Sequence, residues 1–158
     1  MTFSAHIGYV CSVSINNKAM PDSIIITVET DINAPIGKVW ELWNTPEDIM
    51  QWNNMSAEWH TPKVENDLRA GGKFLFVMGL KDGSVSFDFT GTYDEVKTNE
   101  FIIYTLDDGR KAIITFTGNY PVKLTETFEP EDTQPVDMQR EFCQAVVDRF
   151  KKYVEEKV

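Results

Sequence analysis

Hydrophobic positions change their period three times along the chain, and each change marks a different kind of element. Ser23 to Ile32 is rich in β-branched residues and bounded by Pro21 and Pro35, the signature of a strand. Ile36, Val39, Trp40 and Trp43 then recur at the i, i+3, i+4, i+7 spacing of one helical face, behind a proline at a first helical position, where no N–H donor is needed. Thr45-Pro46-Glu47-Asp48 supplies a capping hydroxyl, another first-turn proline and two acids beside a positive helix end. That predicts a second short helix to about Trp52.

From Val64 the period falls to two. Gly71-Gly72 opens a strand with Phe74, Phe76 and Met78 on one face, and Lys81-Asp82-Gly83 turns into a partner whose Val85, Phe87 and Phe89 alternate with Ser86, Asp88 and Thr90. Further strands are predicted over Glu100 to Leu106, Lys111 to Thr117 and Val122 to Glu129, joined by turns at Asp107-Asp108-Gly109 and Gly118-Asn119-Tyr120-Pro121. Turns this short make the strands antiparallel neighbours. After Pro130 and Pro135 the helical period returns, with Met138, Phe142, Ala145, Val146, Phe150 and Val154 as its apolar stripe. The pattern predicts an α+β fold: a curved antiparallel sheet of about six or seven strands wrapped around a long C-terminal helix, with two short helices after the first strand. Bulky inward side chains on such a sheet leave room for a ligand beneath the helix.

A chain of 158 residues, 42% hydrophobic, suits one core. The expected organisation is a leader over residues 1–22, disordered or loosely attached, with Met20 a candidate start, followed by one domain over 23–158. The 25 acidic against 15 basic residues give a net charge of -10, which argues against nucleic acid and anionic membranes as partners. Cys11 and Cys143 lie far apart with no CxxC spacing, and neither they nor His6 and His60 show metal-ligand spacing, so no disulfide framework, metal or cofactor is expected. The opening stretch has no secretory pattern and no apolar run is long enough to span a bilayer, so the expected location is the cytoplasm.

Several local strings then carry a family resemblance: Ala34-Pro35 with Val39-Trp40, the helix ending in Gln51-Trp52, Trp59-His60, the run Asn66 to Phe74, Phe89-Thr90-Gly91-Thr92-Tyr93, Thr125-Glu126-Thr127-Phe128 and Phe150-Lys151-Lys152-Tyr153. Over about Ser23 to Lys157 the chain resembles the START-like (SRPBCC) superfamily, and within it the bacterial family named after the activator of the ninety-kilodalton heat-shock protein ATPase. The resemblance implies the helix-grip fold and a cavity that binds small hydrophobic molecules such as lipids, polyketides or flavonoid-like aromatics. It also implies two other roles: an enzyme of the cyclase or hydratase sort, or a chaperone-contacting interaction module of the stress response. The family usually carries a Gly-Trp pair where this chain has Phe142-Cys143.

The candidate cavity wall consists of Trp52, Trp59, His60, Phe74, Phe76, Met78, Phe87, Phe89, Tyr104, Phe116, Glu126, Phe142 and Val146, in which flat rings and a thioether suit varied apolar ligands. No residue is assigned as catalytic. Glu126 shares strand parity with Val122, Leu124 and Phe128, so its carboxyl should face the helix, where it must pair, hydrogen-bond or rise in pKa. It could orient a ligand hydroxyl or act as an acid or base, or it could escape to water or pair with Arg69. His60, read as lying in the loop before the sheet, would be its partner in an enzyme, or a loop histidine bonded to backbone. Asp67 and Arg69 flank the Gly71-Gly72 corner, as readers of a ligand's polar end or as an ion pair pinning the loop. Cys143 reads as a small apolar filler on a buried helix.

Overall fold

The computed structural model describes residues 25–158, so the leader over 1–22 and the first two residues of the expected domain lie outside the described residues. The β-branched run forms β1 (Ile26–Ile32), its alternate residues Ile26, Val28 and Ile32 almost wholly buried. Next come α1 (Ile36–Asn44) and α2 (Pro46–Trp52), the two short helices expected after the first strand. The Thr45 hydroxyl, expected to cap α2, instead donates to the Glu41 carbonyl at 2.8 Å and closes α1. Only Pro46 and the acids Glu47 and Asp48 mark the start of α2.

The meander comprises β2 (Trp59–Asn66), β3 (Lys73–Leu80), β4 (Ser86–Lys97), β5 (Phe101–Leu106), β6 (Lys111–Thr117) and β7 (Val122–Phe128), and α3 (Val136–Lys157) ends the chain. The strands make one curled antiparallel sheet in the order β1-β7-β6-β5-β4-β3-β2. Two strands differ from expectation. Trp59 and His60, read as loop, begin β2, an edge strand on which Pro62 has no ladder bond to lose; its register shifts between His60 and Lys63, which breaks the alternation. The strand whose alternation is read over Val85 to Thr90 runs on to Lys97, carried past Tyr93 by a second register shift.

Cross-strand partners share a face, so the register defines the concave side. Phe128, Ala112, Tyr104 and Tyr93 form one row across it, and Glu126, Ile114, Ile102 and Val96 another. Phe74 sits opposite Gly91, and a Cβ there would come within 2.7 Å of the Phe74 ring, so the missing side chain is what lets that ring lie across the strand. The opposite face also holds buried residues, Ile103, Ile113 and Thr127, although the described helices pack elsewhere.

The helix α3 crosses the concave side nearest β1. Its most buried row is Val147, Phe150 and Val154, with Cys143 one turn earlier. The apolar stripe is therefore rotated from the one expected: Val147 is fully buried and Met138 is 54% exposed, because the buried row is continued in the first turn by Val136, seven residues before Cys143, and Met138 lies off it. Polar side chains of α3 also satisfy the free edge of β1. Gln144 donates to the Glu29 carbonyl at 3.0 Å, Lys151 to the Asp31 carbonyl at 2.7 Å, and Glu155 accepts from the Asn33 N–H just past the strand at 2.7 Å. An edge that would invite another strand is thereby closed.

Two substitutions test this packing. Phe150→Ala should cost about 3–5 kcal/mol in chemical denaturation, the usual loss for a fully buried aromatic. Gly91→Ala should cost about 1–3 kcal/mol by overpacking the Phe74 ring, although alanine is ordinarily the better residue in a strand.

Candidate functional site

Aromatic side chains divide the space between sheet and α3 into two unequal regions. At the end near α1 and α2 they are packed solid: Trp43 stacks on Trp52 at 4.6 Å, Phe150 meets both rings edge-on at 4.9 and 4.7 Å, and Phe116 meets Trp40 at 5.2 Å. The Trp52 indole N–H donates to the Leu42 carbonyl at 2.9 Å, which fixes its ring as a wedge between the short helices. Trp52 and Phe116, both cavity candidates from sequence, thus lie in this plug.

The other candidates gather toward the opposite end. Phe74 contacts Phe76, Phe89, Tyr93 and Tyr104 at ring separations of 5.1 to 5.7 Å. Trp59 bridges from β2 to Phe87 at 6.4 Å and to Phe142 on α3 at 5.8 Å, closing a rim across the helix. Phe76, Phe89, Phe128, Phe142 and Cys143 are only partly buried, whereas Phe74, Met78, Tyr104 and Val146 are buried. The rim is apolar and open: Phe87 and Val85 are each 42% exposed on the β3–β4 hairpin.

Glu126 is set into this region by its neighbours. It lies opposite Val28 on β1 and Ile114 on β6, both core residues, and has no hydrogen-bond or ion-pair partner among the described residues. Arg69, a possible partner from sequence, is engaged with Asp67 at 3.0 Å on the surface. Burial alone pushes the Glu126 carboxyl up to about 7, because few dipoles replace its water. Burial likewise raises the Tyr104 hydroxyl and the Cys143 thiol well above their ordinary values, and the Glu126 charge raises both further. Arg110, at the β5–β6 turn, opposes those rises, but its guanidinium is held by Asp108 at 2.9 Å.

His60 does not join the group. It is in β2 and pairs with Gly79, whose parity is that of Leu75 and Val77, so the imidazole is on the face opposite Glu126; β2 and β7 are also five places apart in the sheet. The acid–base pair that an enzyme reading would need is separated by the sheet itself. Cys143, read from sequence as an apolar filler on a buried helix, packs against the core, and its thiol feels the Glu126 charge; its spacing of four, seven and eleven to Val147, Phe150 and Val154 is the signal that places it on the buried row. Tyr93 and Asn66, which the sequence did not single out, make a hydrogen bond of 2.5 Å at the far side of the Phe74 cluster.

A shallow depression of about 370 Å³ lies away from these residues, between β1 and α3, lined by Thr30, Asp148, Lys151, Lys152 and Glu155. Its walls are surface side chains, two of which already serve the edge of β1. Among the described residues there is no group of three or more metal-ligating side chains, and no helix is long and apolar enough to cross a membrane.

Residues 33–155 match the family model described as activator of Hsp90 ATPase homolog 1-like protein. The chain belongs to this family. An AHSA1-like protein from Aeromonas hydrophila, solved in solution, is 37% identical, with 85% of this chain and 94% of that one covered and a TM-score of 0.78. A solution structure from Cytophaga hutchinsonii is 50% identical, covering 84% and 92%, with a TM-score of 0.73. A crystal structure from Chromobacterium violaceum shares the fold at 22% identity, covering 84% and 98%, with a TM-score of 0.76. No curated protein matches the chain. The α+β helix-grip architecture read from the AHSA1-like strings is thus the one the chain adopts.

The Glu126 carboxyl gives the AHSA1-like fold a measurable pH signature. A folded-state pKa near 7 exceeds the unfolded value of 4.5, so the folded form keeps a proton that the unfolded form has lost. Stability from this group is fully present below about pH 4.5, falls through the interval, and is lost above about pH 7. The loss should be about 3 kcal/mol, at about 1.4 kcal/mol per pKa unit. Glu126→Gln should flatten the slope in urea denaturation at pH 4.5 to 7.5 and make the protein more stable than wild type at the upper end.

Proposed function

We propose that this protein binds a small hydrophobic or amphipathic molecule in the cleft between the concave face of the sheet and the N-terminal half of α3. The observation that carries the reading is the contrast between the two ends of that space. Around Trp43, Trp52 and Phe150 the rings fill it. Around Phe76, Phe89, Phe142, Cys143 and Glu126, inward-facing side chains stay partly accessible although protein surrounds them enough to shift their titration. A group that is both accessible and desolvated belongs to the wall of a cleft. Each 100 Å² of ligand apolar surface covered there contributes about 2.5 kcal/mol, so shape and size govern selection among lipids, polyketide-like and flavonoid-like aromatics.

In this reading Trp59, Phe87 and Phe142 form the entrance, and Phe74, Phe76, Met78, Phe89, Tyr104 and Val146 the walls. The same reading sets the protein in the cytoplasm, where the Cys143 thiol stays reduced. A protein-interaction module is the second reading, favoured by the exposed Val85, Phe87 and Met138 beside the entrance.

The test is an NMR titration of the full chain with fatty alcohols, sterols and flavonoids. Ligand should move resonances of Phe76, Phe89 and Tyr104, and Cys143→Phe, which places a ring in the cleft, should weaken binding at least tenfold while the fold persists. Shifts confined to Val85, Phe87 and Met138, untouched by Cys143→Phe, would instead support the interaction module and end the cleft reading.

A further inference from the structure

Ligand binding in the cleft leaves open which end of an amphipathic molecule goes in first, and the polar groups on the wall bear on it. The Tyr104 phenol on β5, one row along the concave face, and the Cys143 thiol on α3 lie near enough for the Glu126 charge to raise both; its cross-strand neighbours on β1 and β6 are Val28 and Ile114, which carry no charge. Tyr93, next along the row on β4, already bonds Asn66. The one basic group that acts on this set is Arg110 at the turn, and both of its short contacts go to Asp108, at 2.9 and 3.1 Å. The wall therefore presents an unpartnered hydrogen-bond acceptor and no free cation among the described residues. The rest of the surface is acidic, with a net charge of -10.

We propose that Glu126 reads the inner end of the ligand by accepting hydrogen bonds from it, so that the cleft takes apolar molecules ending in a donor group, a primary amine or a hydroxyl, and turns away those ending in a carboxylate. This rests on the cleft reading and adds to it the chemistry of the ligand's polar end. A carboxylate brought beside Glu126 could enter only if one of the two acids kept its proton, and two negative charges in an apolar cleft repel strongly. An alkyl ammonium instead supplies the missing cation and up to three donors. A hydroxyl donates one hydrogen bond and carries no charge, so it satisfies the acceptor in either protonation state.

The protonation of Glu126 then separates the two donors. Ammonium binding strengthens as pH rises through about 7 and the carboxylate forms. Hydroxyl binding stays nearly level, and carboxylate binding weakens over the same interval.

Decylamine, decanol and decanoate share one chain length and differ only at that end. Isothermal titration of the full chain with each, at pH 5.5 and 8 and in about 0.5 M salt to screen the acidic surface, tests the inference. At pH 8 we expect decylamine or decanol to bind about tenfold or more tightly than decanoate, a hydrogen bond to a charged group being worth that much. If the amine is the preferred end, its affinity rises between the two pH values and Glu126→Gln removes the rise. With the hydroxyl preferred, affinity is level with pH, and Glu126→Gln holds it within about threefold because the amide carbonyl still accepts.

Equal binding of all three ligands, unchanged in Glu126→Gln, would overturn the inference and leave the cleft intact. Failure of all three to bind wild type would overturn the cleft reading with it. Wild-type pH dependence alone decides the amine case should the variant not fold.

Discussion

A single helix cannot cover the sheet it packs on. Seven strands spaced about 4.8 Å apart span roughly 29 Å, whereas a helix with its side chains is about 10–12 Å across. Curling shortens the distance from edge to edge but does not remove the mismatch. The remainder of the concave face must be filled by something else or left open, and this fold does both. The short helices α1 and α2 fold back at one end and deliver Trp40, Trp43 and Trp52 to Phe150 and Phe116. The other end receives no such helix among the described residues, and Trp59 of β2 alone meets α3 there, at Phe142, above the rings of β3, β4 and β5.

That asymmetry also explains where α3 is anchored. Its C-terminal half carries the fully buried Phe150 and Val154, together with the Lys151 and Glu155 contacts to the edge of β1. Tyr153 adds a hydrogen bond of 2.5 Å to Asp48 of α2. Its N-terminal half has Phe142 and Cys143, partly buried, and an exposed Met138. The helix is thus held firmly where the space is full and lightly where it is open, the arrangement by which an entrance can widen without loosening the core.

Much of this was legible in the sequence because period and turn chemistry are local. The change from 3.6 to 2 near Val64, the turns at Gly83, Gly109 and Gly118, and the return to a helical stripe after Pro135 placed most elements within a residue or two. What escaped was set by neighbours distant in the chain. Pro62 and the charges Lys63 and Glu65 disguised β2, which is tolerable only because no described strand pairs with its outer edge. Parity along β7 put Glu126 inward, but no local pattern could tell that His60 pairs with Gly79 and so faces the other way. Nor could it tell that Trp52 and Phe116 would both join the plug, through Trp43, while Phe76 and Phe89 pair with each other outside it, since that depends on where α2 folds back.

Glu126 is the residue at which folding and the remaining chemistry diverge. On a strand whose other inward positions are Val122, Leu124 and Phe128, a leucine would serve packing better, and a carboxyl raised to about 7 lowers stability at neutral pH by about 3 kcal/mol, an amount comparable to losing three or four buried methylenes. A single domain holds only about 5–15 kcal/mol in total, so this is a substantial fraction of its stability. The plug shows that the fold does not need the acid there, because the equivalent space at the other end is filled by rings alone. Local rules that a sequence breaks without structural compensation tend to mark sites rather than scaffolding. Apolar walls discriminate by shape and are nearly indifferent to chemical identity, so in a cleft of this kind one unpartnered acceptor contributes most of what can be called chemical selection.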